Sequence, residues 1–367
     1  TEPLIQKCFE LATKKSISNL KNNKSFTQKN NNDNIFIYYA DGKFCFMDKL
    51  PPYIKTLRNS DDQVNVETLL KLDDKKIHSP FTDLNTLLLS DALIIETLKN
   101  QKIDAIIHII ICSDIEQNIS PRLLIKLREN SSIRIFEHCL TSNSCVINSL
   151  TEINCEKNSQ LDYFKIIDEQ EDGYHLNLSN IRLAKSSAFN LFSWDSGAKI
   201  SRNNINVDLI EENASVNLNN LFSPNEKLHI DNQLKIKHIG EKCESSLDYR
   251  GILKDQSTGV FGGTVYVDQG AANTQSNMAN RNLLLSDHAR INTKPVLEIY
   301  NEDVQCTHSA TSGHLDEEKL FYIQSRGIGE SDAMNILIQS FASELVEKIK
   351  NSHMKRIFQE YLFQKMQ

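Results

Sequence analysis

From about Ile133 to residue 313, apolar and polar positions alternate in short runs, and Asn, Ser, Asp and Gly fill the gaps between them. Alternation with a period of two is typical of β-strands that bury one face. No segment with helical spacing of apolar residues interrupts these runs. The pattern therefore predicts roughly 180 consecutive residues built from strands alone.

A strand region of this length favours a coiled stack of strands. A simple sandwich usually runs near 100 residues, and a large open sheet exposes long edges. In a coiled stack each rung hydrogen-bonds to the rungs on both sides. Recurrent Asn suits the corners, because Asn tolerates left-handed backbone angles. The sequence thus favours a β-helix, although a pair of sandwiches satisfies the periodicity equally well.

The region before residue 131 is predicted to mix helices and strands. Helical spacing predicts a first helix over residues 1–22, and two β-rich runs around Ala-Asp-Gly predict a hairpin over residues 35–47. Residues 82–100 predict a second helix, and Ile103–Cys112 predicts a buried strand. The second helix is expected to bury the apolar residues Leu84, Leu87, Leu88, Ala92, Ile95 and Leu98.

The C-terminal region returns to helical spacing. Three helices are predicted, over Leu315–Ile328, Gly329–Asn351 and His353–Met366, and we expect them to cap the open end of the strand stack. Asp316 is expected to cap the first helix and Gly327 to close it. The middle helix is expected to bury Ala333, Ile336, Leu337, Phe341, Leu345 and Ile349. The predicted regions are residues 1–130, the β-helix core 131–314, and the helical domain 315–367.

Charge and hydropathy narrow the classes of partner. The net charge of −7 argues against nucleic acid or an acidic membrane surface. The apolar run Ile103–Cys112 is too short to span a bilayer, and the N-terminal stretch lacks a signal-peptide core. We therefore expect a cytoplasmic protein, whose N-terminus without Met is processed or shortened.

The eight cysteines are widely spaced, and no two form a C-x-x-C pair. This spacing disfavours a zinc ribbon and favours reduced thiols. We expect Cys112, Cys139 and Cys145, which lie in apolar stretches, to behave as small buried hydrophobic residues.

Common catalytic and nucleotide-binding motifs are absent from the sequence: it has no P-loop, no nucleophile elbow and no H-E-x-x-H. The glycine-rich segment Gly259–Gly270 lies among strands, so we interpret it as close backbone approach at coil corners. A carbohydrate-active β-helix enzyme needs paired carboxylates. No such pair stands out, because Asp248, Asp255 and Asp268 are each more simply solvated or turn residues.

Cys306 and His308 stand two residues apart in a Ser- and Thr-rich segment, so in an extended chain they point to the same side. A thiolate and a neutral imidazole could share iron, zinc or copper, and a protonated His308 would activate Cys306 as a nucleophile. Two ligands do not complete a tetrahedral site, so a metal site here needs another subunit or is transient. A hydrogen-bonded turn histidine beside a buried cysteine is the plain alternative.

Residues Tyr249–Ile328 resemble the SufB/SufD family of iron–sulfur cluster assembly proteins. The resemblance rests on the pieces "RGI", "NLLLS", "KPVLEIYNEDVQCTHSAT" and "LDEEKLFYIQSRGI", in this order and spacing. It extends over about residues 130–350. It implies a right-handed parallel β-helix between helical N- and C-terminal regions.

Within that family the chain is more similar to the SufD branch than to the SufB branch. SufB chains have a Glu beside the histidine, and their cluster-holding cysteine falls near Ile299 here. The resemblance implies that His308, with Cys306, is the SufD half of a metal site shared with SufB. A transient, nascent iron–sulfur cluster would form there.

The resemblance also implies a non-catalytic scaffold without a nucleotide site. It implies that SufB pairs through the β-helix and that the ATPase SufC docks on the C-terminal helices, through Phe321, Tyr322, Arg326, Ile336 and Phe341. ATP-driven closure of two SufC subunits would pull on these helices and open the shared site. The alternatives are a homodimeric scaffold that acts alone and a carbohydrate-active β-helix enzyme.

Overall fold

The computed structural model describes residues 34–40, 42–46, 49–57, 80–113, 118–141, 145–168 and 172–365. The helix predicted over residues 1–22 and Cys8 lie outside these ranges. Two ten-stranded sheets dominate the described chain, and helices follow them at the C-terminal end.

The first sheet begins with an antiparallel hairpin and continues with parallel strands only. The hairpin strands are β1 (Ile35–Ala40) and β2 (Lys43–Phe46), which confirms the hairpin prediction. The parallel strands that follow are β5 (Lys102–Ser113), β8 (Ser132–Thr141), β10 (Gln160–Asp168), β12 (Ala188–Asp195), β14 (Ser215–Phe222), β16 (Glu244–Leu253), β18 (Thr274–Leu284) and β20 (Val304–Gly313).

The second sheet takes the strands between these, so that the chain crosses from sheet to sheet at each corner. Its parallel strands are β4 (Ala92–Glu96), β6 (Asn118–Ile119), β7 (Arg122–Leu127), β9 (Val146–Cys155), β11 (Tyr174–Leu183), β13 (Ile200–Leu209), β15 (His229–His238), β17 (Thr258–Val267) and β19 (Arg290–Ile299). A short antiparallel strand, β3 (Ile54–Thr56), pairs with β4.

The strand register shows a parallel β-solenoid of about seven turns. Tyr174 pairs with Ile200 and Thr258 with Arg290, so one coil takes 26 to 32 residues. The predicted β-helix is therefore confirmed, and the sandwich alternative is excluded. Both sheets continue across residue 130, because β5 pairs with β8 and β7 with β9.

Asparagines occupy left-handed positions at one series of corners. Asn130 Nδ2 donates to Asn100 Oδ1 at 2.8 Å, and Asn158 Nδ2 donates to Asn130 Oδ1 at 2.9 Å. These side chains tie neighbouring corners together, as the Asn content of the sequence predicted. The asparagines with φ between 56° and 61° are Asn100, Asn130, Asn158, Asn213 and Asn273.

Gly259, Gly262 and Gly263 lie within β17, so the predicted placement at coil corners is wrong for them, whereas Gly270 lies in the turn between β17 and β18 as predicted. The close approach itself is confirmed. A Cβ at Gly262 would lie 2.2 Å from Gln233 Oε1, and one at Gly263 would lie 2.5 Å from Met278 Sδ. A larger residue at Gly262 or Gly263 would therefore require the Gln233 or Met278 side chain to shift.

The helix predicted over residues 82–100 is wrong beyond residue 87. The helix α1 covers Pro80–Leu87, and the next apolar run forms β4. Ala92 and Ile95 are buried, but Leu84, Leu88 and Leu98 are exposed and Leu87 is 82% exposed. A short apolar run is compatible with both helical and strand spacing. The parallel pairing of β4 with β7 stabilises the strand.

The three C-terminal helices are confirmed as α2 (Glu317–Gln324), α3 (Glu330–Val346) and α4 (Ser352–Lys365). Asp316 caps α2 by accepting hydrogen bonds from the amides of Glu318 and Lys319, and Gly327 takes the expected positive φ of 85°. No helix among the described residues is both long and apolar enough to cross a membrane.

Two of these helices, α3 and α4, cover the side of the solenoid, so the predicted cap over its open end is wrong for them. Outward-facing aromatics of the first sheet pack under α3 and α4, and the Phe192 and Phe358 rings lie 4.5 Å apart. The buried face of α3 consists of Ala333, Ile338, Ala342, Leu345 and Val346. Ile336, predicted to be buried, is 44% exposed, and Leu337 and Phe341 are half-buried.

An ionic cluster fastens α3 to the first sheet. Asp248 of β16 forms ion pairs with Arg250, Arg281 and Lys348, the last at 2.6 Å. Arg250 also reaches Glu344 at 2.9 Å. Burial raises the pKa of the Asp248 carboxyl, but hydrogen bonds from Lys348 and Arg250 outweigh it and hold the pKa below its ordinary value. The interpretation of Asp248 as a solvated residue is therefore wrong.

The buried imidazole of His108 makes stability depend on pH. It stacks on Phe36 at 4.6 Å, and its Nε2 has no hydrogen-bond partner. Burial, with lesser contributions from His353 and His138, lowers the pKa of His108 from 6.5 to about 3. In the unfolded chain the His108 imidazole therefore takes up a proton below pH 6.5, whereas in the folded chain it stays neutral down to about pH 3. The stability contributed by the neutral imidazole is present above pH 6.5 and is lost as the pH falls.

We expect the His108→Leu variant to lose less stability on acidification than the wild type, by up to about 1.4 kcal/mol per pH unit. Urea unfolding at several pH values between 6.5 and 4 measures this slope. The exposed His288 provides the control for exchanging a histidine for leucine, through the His288→Leu variant. Equal slopes for His108→Leu and the wild type would contradict the assignment.

Candidate functional site

The last coil of the solenoid, β19 and β20, forms an open end. Within the described residues each strand pairs on one side only, β19 with β17 and β20 with β18. Their outer backbone groups are therefore free to pair with another strand. Most residues of both strands are exposed.

His308 stands where an apolar core column reaches this end. Each member of the column pairs with the next through the strand register: Tyr163, Leu191, Leu218, Leu247, Met278 and His308. Met278 is fully buried, whereas His308 is exposed because no further coil covers it. The chain thus places an imidazole at a core position that only another surface can bury.

Cys306 lies beside His308 on the same inward-facing side of β20. It pairs with Ser276 and packs, half-buried, against the core. Partial burial raises the pKa of the Cys306 thiol, and a hydrogen bond from the Ser276 backbone opposes that effect. The segment is a strand, so the alternative of a turn histidine is wrong. The expected common orientation of the two side chains follows from the register.

The last coil also carries apolar residues. Leu297 and Val304 pack partly buried against the core, while Ile299 and Tyr300 at the end of β19 are exposed. Ile299, the position that the resemblance placed near the SufB cysteine, is exposed, and its side chain cannot ligate a metal ion. Among the described residues no group of three or more His, Cys, Asp or Glu side chains is arranged to hold a metal ion. Cys306 and His308 can supply only part of a coordination sphere.

A second exposed patch lies on the C-terminal helices. Phe321 is 71% exposed and Tyr322 is 60% exposed, and the Arg326 guanidinium lies 5.2 Å from the Tyr322 ring centroid. Ile336 is also exposed. Phe341 differs from the other predicted contacts, since it is half-buried and lies 5.4 Å from the Arg250 guanidinium.

The three aspartates considered for glycan cleavage are not arranged as a catalytic pair. Asp248 is committed to ion pairs, Asp255 occupies a left-handed corner, and Asp268 follows β17 in the other sheet. Asp255 and Asp268 accept hydrogen bonds from backbone amides, as turn residues do.

Residues 110–341 match the family model for the SufBD core domain of the SUF system of FeS cluster assembly. The chain belongs to the SufBD family. The family resemblance inferred from the sequence is thereby confirmed.

Three relatives illustrate the similarity. The iron–sulfur cluster assembly protein SufD of Escherichia coli is 32% identical over 232 residues, which are 63% of this chain and 55% of that protein. A SufBD family protein of Synechocystis is 29% identical over 282 residues, 73% of this chain and 62% of that protein. The chloroplastic protein ABCI7 of Arabidopsis thaliana is 29% identical over 240 residues, 64% and 50% of the two chains. The chain thus spans between 50% and 62% of the length of these relatives.

Sequence reasoning missed the ionic cluster around Asp248. The signal was present in the quoted family piece "RGI", whose Arg250 joins the first sheet to α3. Gly251 of the same piece has no room for a side chain, since a Cβ would lie 2.6 Å from Phe222. The partners Glu344 and Lys348 are about one hundred residues away, which local patterns do not reveal.

Thiol reactivity should separate Cys306 from the core cysteines. Cys112, Cys139, Cys145, Cys155 and Cys243 are buried, as predicted for the first three, whereas Cys306 is partly accessible. We expect native-state iodoacetamide to label Cys306 well ahead of these five, with a rate midpoint above the ordinary thiol pKa of 9.0. Peptide mass spectrometry across a pH series measures this, with Cys306→Ser as control. Equal labelling of Cys155 would contradict the described burial.

Proposed function

We propose that this chain is a SufD-like scaffold subunit in iron–sulfur cluster assembly, working without catalytic chemistry of its own. One observation supports this most directly: the last coil presents His308 and Cys306 together at an open edge. The cluster is cargo, and this chain supplies part of its binding site.

The ligand chemistry suits nascent cluster formation. Imidazole nitrogen and thiolate sulfur both bind iron, and two such ligands leave positions for sulfide and for a partner's side chains. Binding of iron would release the Cys306 proton, because metal ions coordinate the thiolate. Partial burial, which raises the Cys306 pKa, keeps the thiol protonated until metal arrives.

The open edge supports a SufB-type subunit as the completing partner. Two solenoids that meet at their end coils would satisfy the free backbone groups of β19 and β20 and bury Ile299, Tyr300 and His308. A second copy of this chain would bury the same surface and is the homodimer expected when the SufB-type partner is missing. We propose that this assembly works in the cytoplasm.

The helical patch supports docking of a SufC-type ATPase. Exposed aromatic and arginine side chains are enriched at protein interfaces, and Phe321, Tyr322 and Arg326 provide them. Lys348 and Glu344 of the helical region hold Asp248 and Arg250 of β16, and Arg281 of β18 binds the same Asp248. Movement of the helices by the ATPase would thus reach β18, the strand that carries β20.

His308→Ala should abolish cluster formation while leaving folding and complex assembly intact, because the side chain is exposed and makes a ligand rather than a core contact. Anaerobic reconstitution of the three-subunit complex with iron and sulfide measures cluster yield by absorbance. His288→Ala, an exposed histidine in the turn between β18 and β19, is the matched control. Normal cluster yield in the His308→Ala complex would refute the site.

Phe321→Ser should weaken ATPase docking without affecting the SufB-type contact, because the ring is 71% exposed and lies outside the core. Co-purification with each partner separates the two interfaces. Phe363→Ser on α4 is the control, since that ring is 59% exposed and lies outside the proposed contact. Unchanged ATPase recovery with Phe321→Ser would contradict the docking surface.

A further inference from the structure

A seam of polar side chains runs inside the solenoid, where a core is ordinarily apolar. Successive register partners form one row in the first sheet: Glu137, Lys165, Ser193, Asn220 and Tyr249. Facing residues form a second row in the other sheet: Ser149, Asn177, Asn203 and Asn232. All nine side chains are buried.

At the end of the seam nearer the N-terminus, the polar side chains bind one another. Lys165 Nζ lies 3.0 Å from Glu137 Oε1 and donates to Asn177 Oδ1 at 3.1 Å. Ser149 Oγ donates to the same amide oxygen at 2.9 Å. The Lys165–Glu137 pair is therefore bound by protein side chains and needs no additional ligand.

Three polar atoms further along the seam have no protein partner. They are Asn220 Oδ1, Asn232 Nδ2 and Tyr249 Oη, and each side chain is at least 97% buried. The other ends of the two amides are used, because Asn220 Nδ2 donates to Ser193 at 2.7 Å and Asn203 donates to Asn232 Oδ1 at 3.3 Å. Buried polar atoms in folded proteins nearly always bind something, so these three indicate a ligand.

All three residues line one interior cavity. It offers about 30 Å³ to the centres of water-sized molecules, and one water needs about 10–15 Å³ by this measure. Tyr249 is the last residue of the first row, and Phe261 follows Asn232 in the second row. On the side toward the last coil, the centroids of these two rings lie 5.3 Å apart. The cavity is thus an internal site of its own and not an extension of the open end.

We propose that this cavity binds two internal water molecules, which bridge Asn220, Asn232 and Tyr249. The site presents an acceptor, a donor and a hydroxyl that can do both, and water meets all three. An anion would lie beside the Glu137 and Asp195 carboxylates, and a cation would meet the Lys165 ammonium, all of which line the same cavity. The volume excludes larger organic ligands.

High-resolution crystallography of the full chain tests the occupant. Two density peaks within hydrogen-bond distance of the three atoms, refining as oxygen, are the expected result. A cavity free of density, or a peak with the anomalous signal of a heavier ion, overturns the proposal.

Tyr249→Phe gives an independent test, because the direction of its effect on stability shows whether a water binds the hydroxyl. If water binds the hydroxyl, its removal costs a hydrogen bond, and the folding equilibrium constant falls about two- to tenfold. If the hydroxyl is unpaired, phenylalanine is neutral or stabilising. Tyr361→Phe is the control: its hydroxyl lies 2.8 Å from His138 Nε2, and neither residue lines the cavity, so it should lower stability without changing the cavity density. An unchanged or raised urea midpoint for Tyr249→Phe overturns the proposal.

Discussion

The parallel backbone ladder between successive coils is the constraint on which the rest of this structure depends. Each inner strand from β8 to β18 is hydrogen-bonded to the equivalent strand one coil earlier and one coil later, so the chain satisfies its backbone only by continuing. The ladder must end somewhere, and in this chain it ends at β19 and β20. An unsatisfied edge is ordinarily a liability that proteins cover or charge. Here the edge carries a histidine and a cysteine at core-facing positions, which no further coil of the described chain covers.

The regular alternation of inward and outward residues also keeps the open end and the helical patch apart. The inward faces of the strands form the core, whereas the outward face of the first sheet provides aromatic rows on which α3 and α4 pack. The helices therefore lie along the side and leave the end open. The Asp248 cluster joins the helices to the first sheet, since its charges come from α3, from Lys348 just after it, and from the strands β16 and β18. One buried carboxylate thus meets three cations, which fixes α3 against both strands.

The solenoid interior is not uniform along its length. Apolar columns fill most of it, but the seam from Glu137 to Tyr249 carries charge and amide groups. Such groups are tolerated only where hydrogen bonds satisfy them. They also hold the two sheets in one register, because a shift of register would separate every hydrogen-bonded pair. Stacking thus serves two purposes, since it builds the core and brings polar residues of different coils within reach of one another.

Much of this protein is determined locally. Alternation of apolar and polar residues specified strands, asparagines specified left-handed corners, and Asp316 and Gly327 specified the limits of α2, because each depends on a few neighbouring residues. The two-residue spacing of Cys306 and His308 also implied a shared face. Only the tertiary structure decided that residues 92–96 form a strand, because pairing with β7 outweighs a helical pattern. It also decided where the helices pack, that Asp248 is buried among cations, and that His308 ends a core column, because these depend on contacts between residues far apart in the chain.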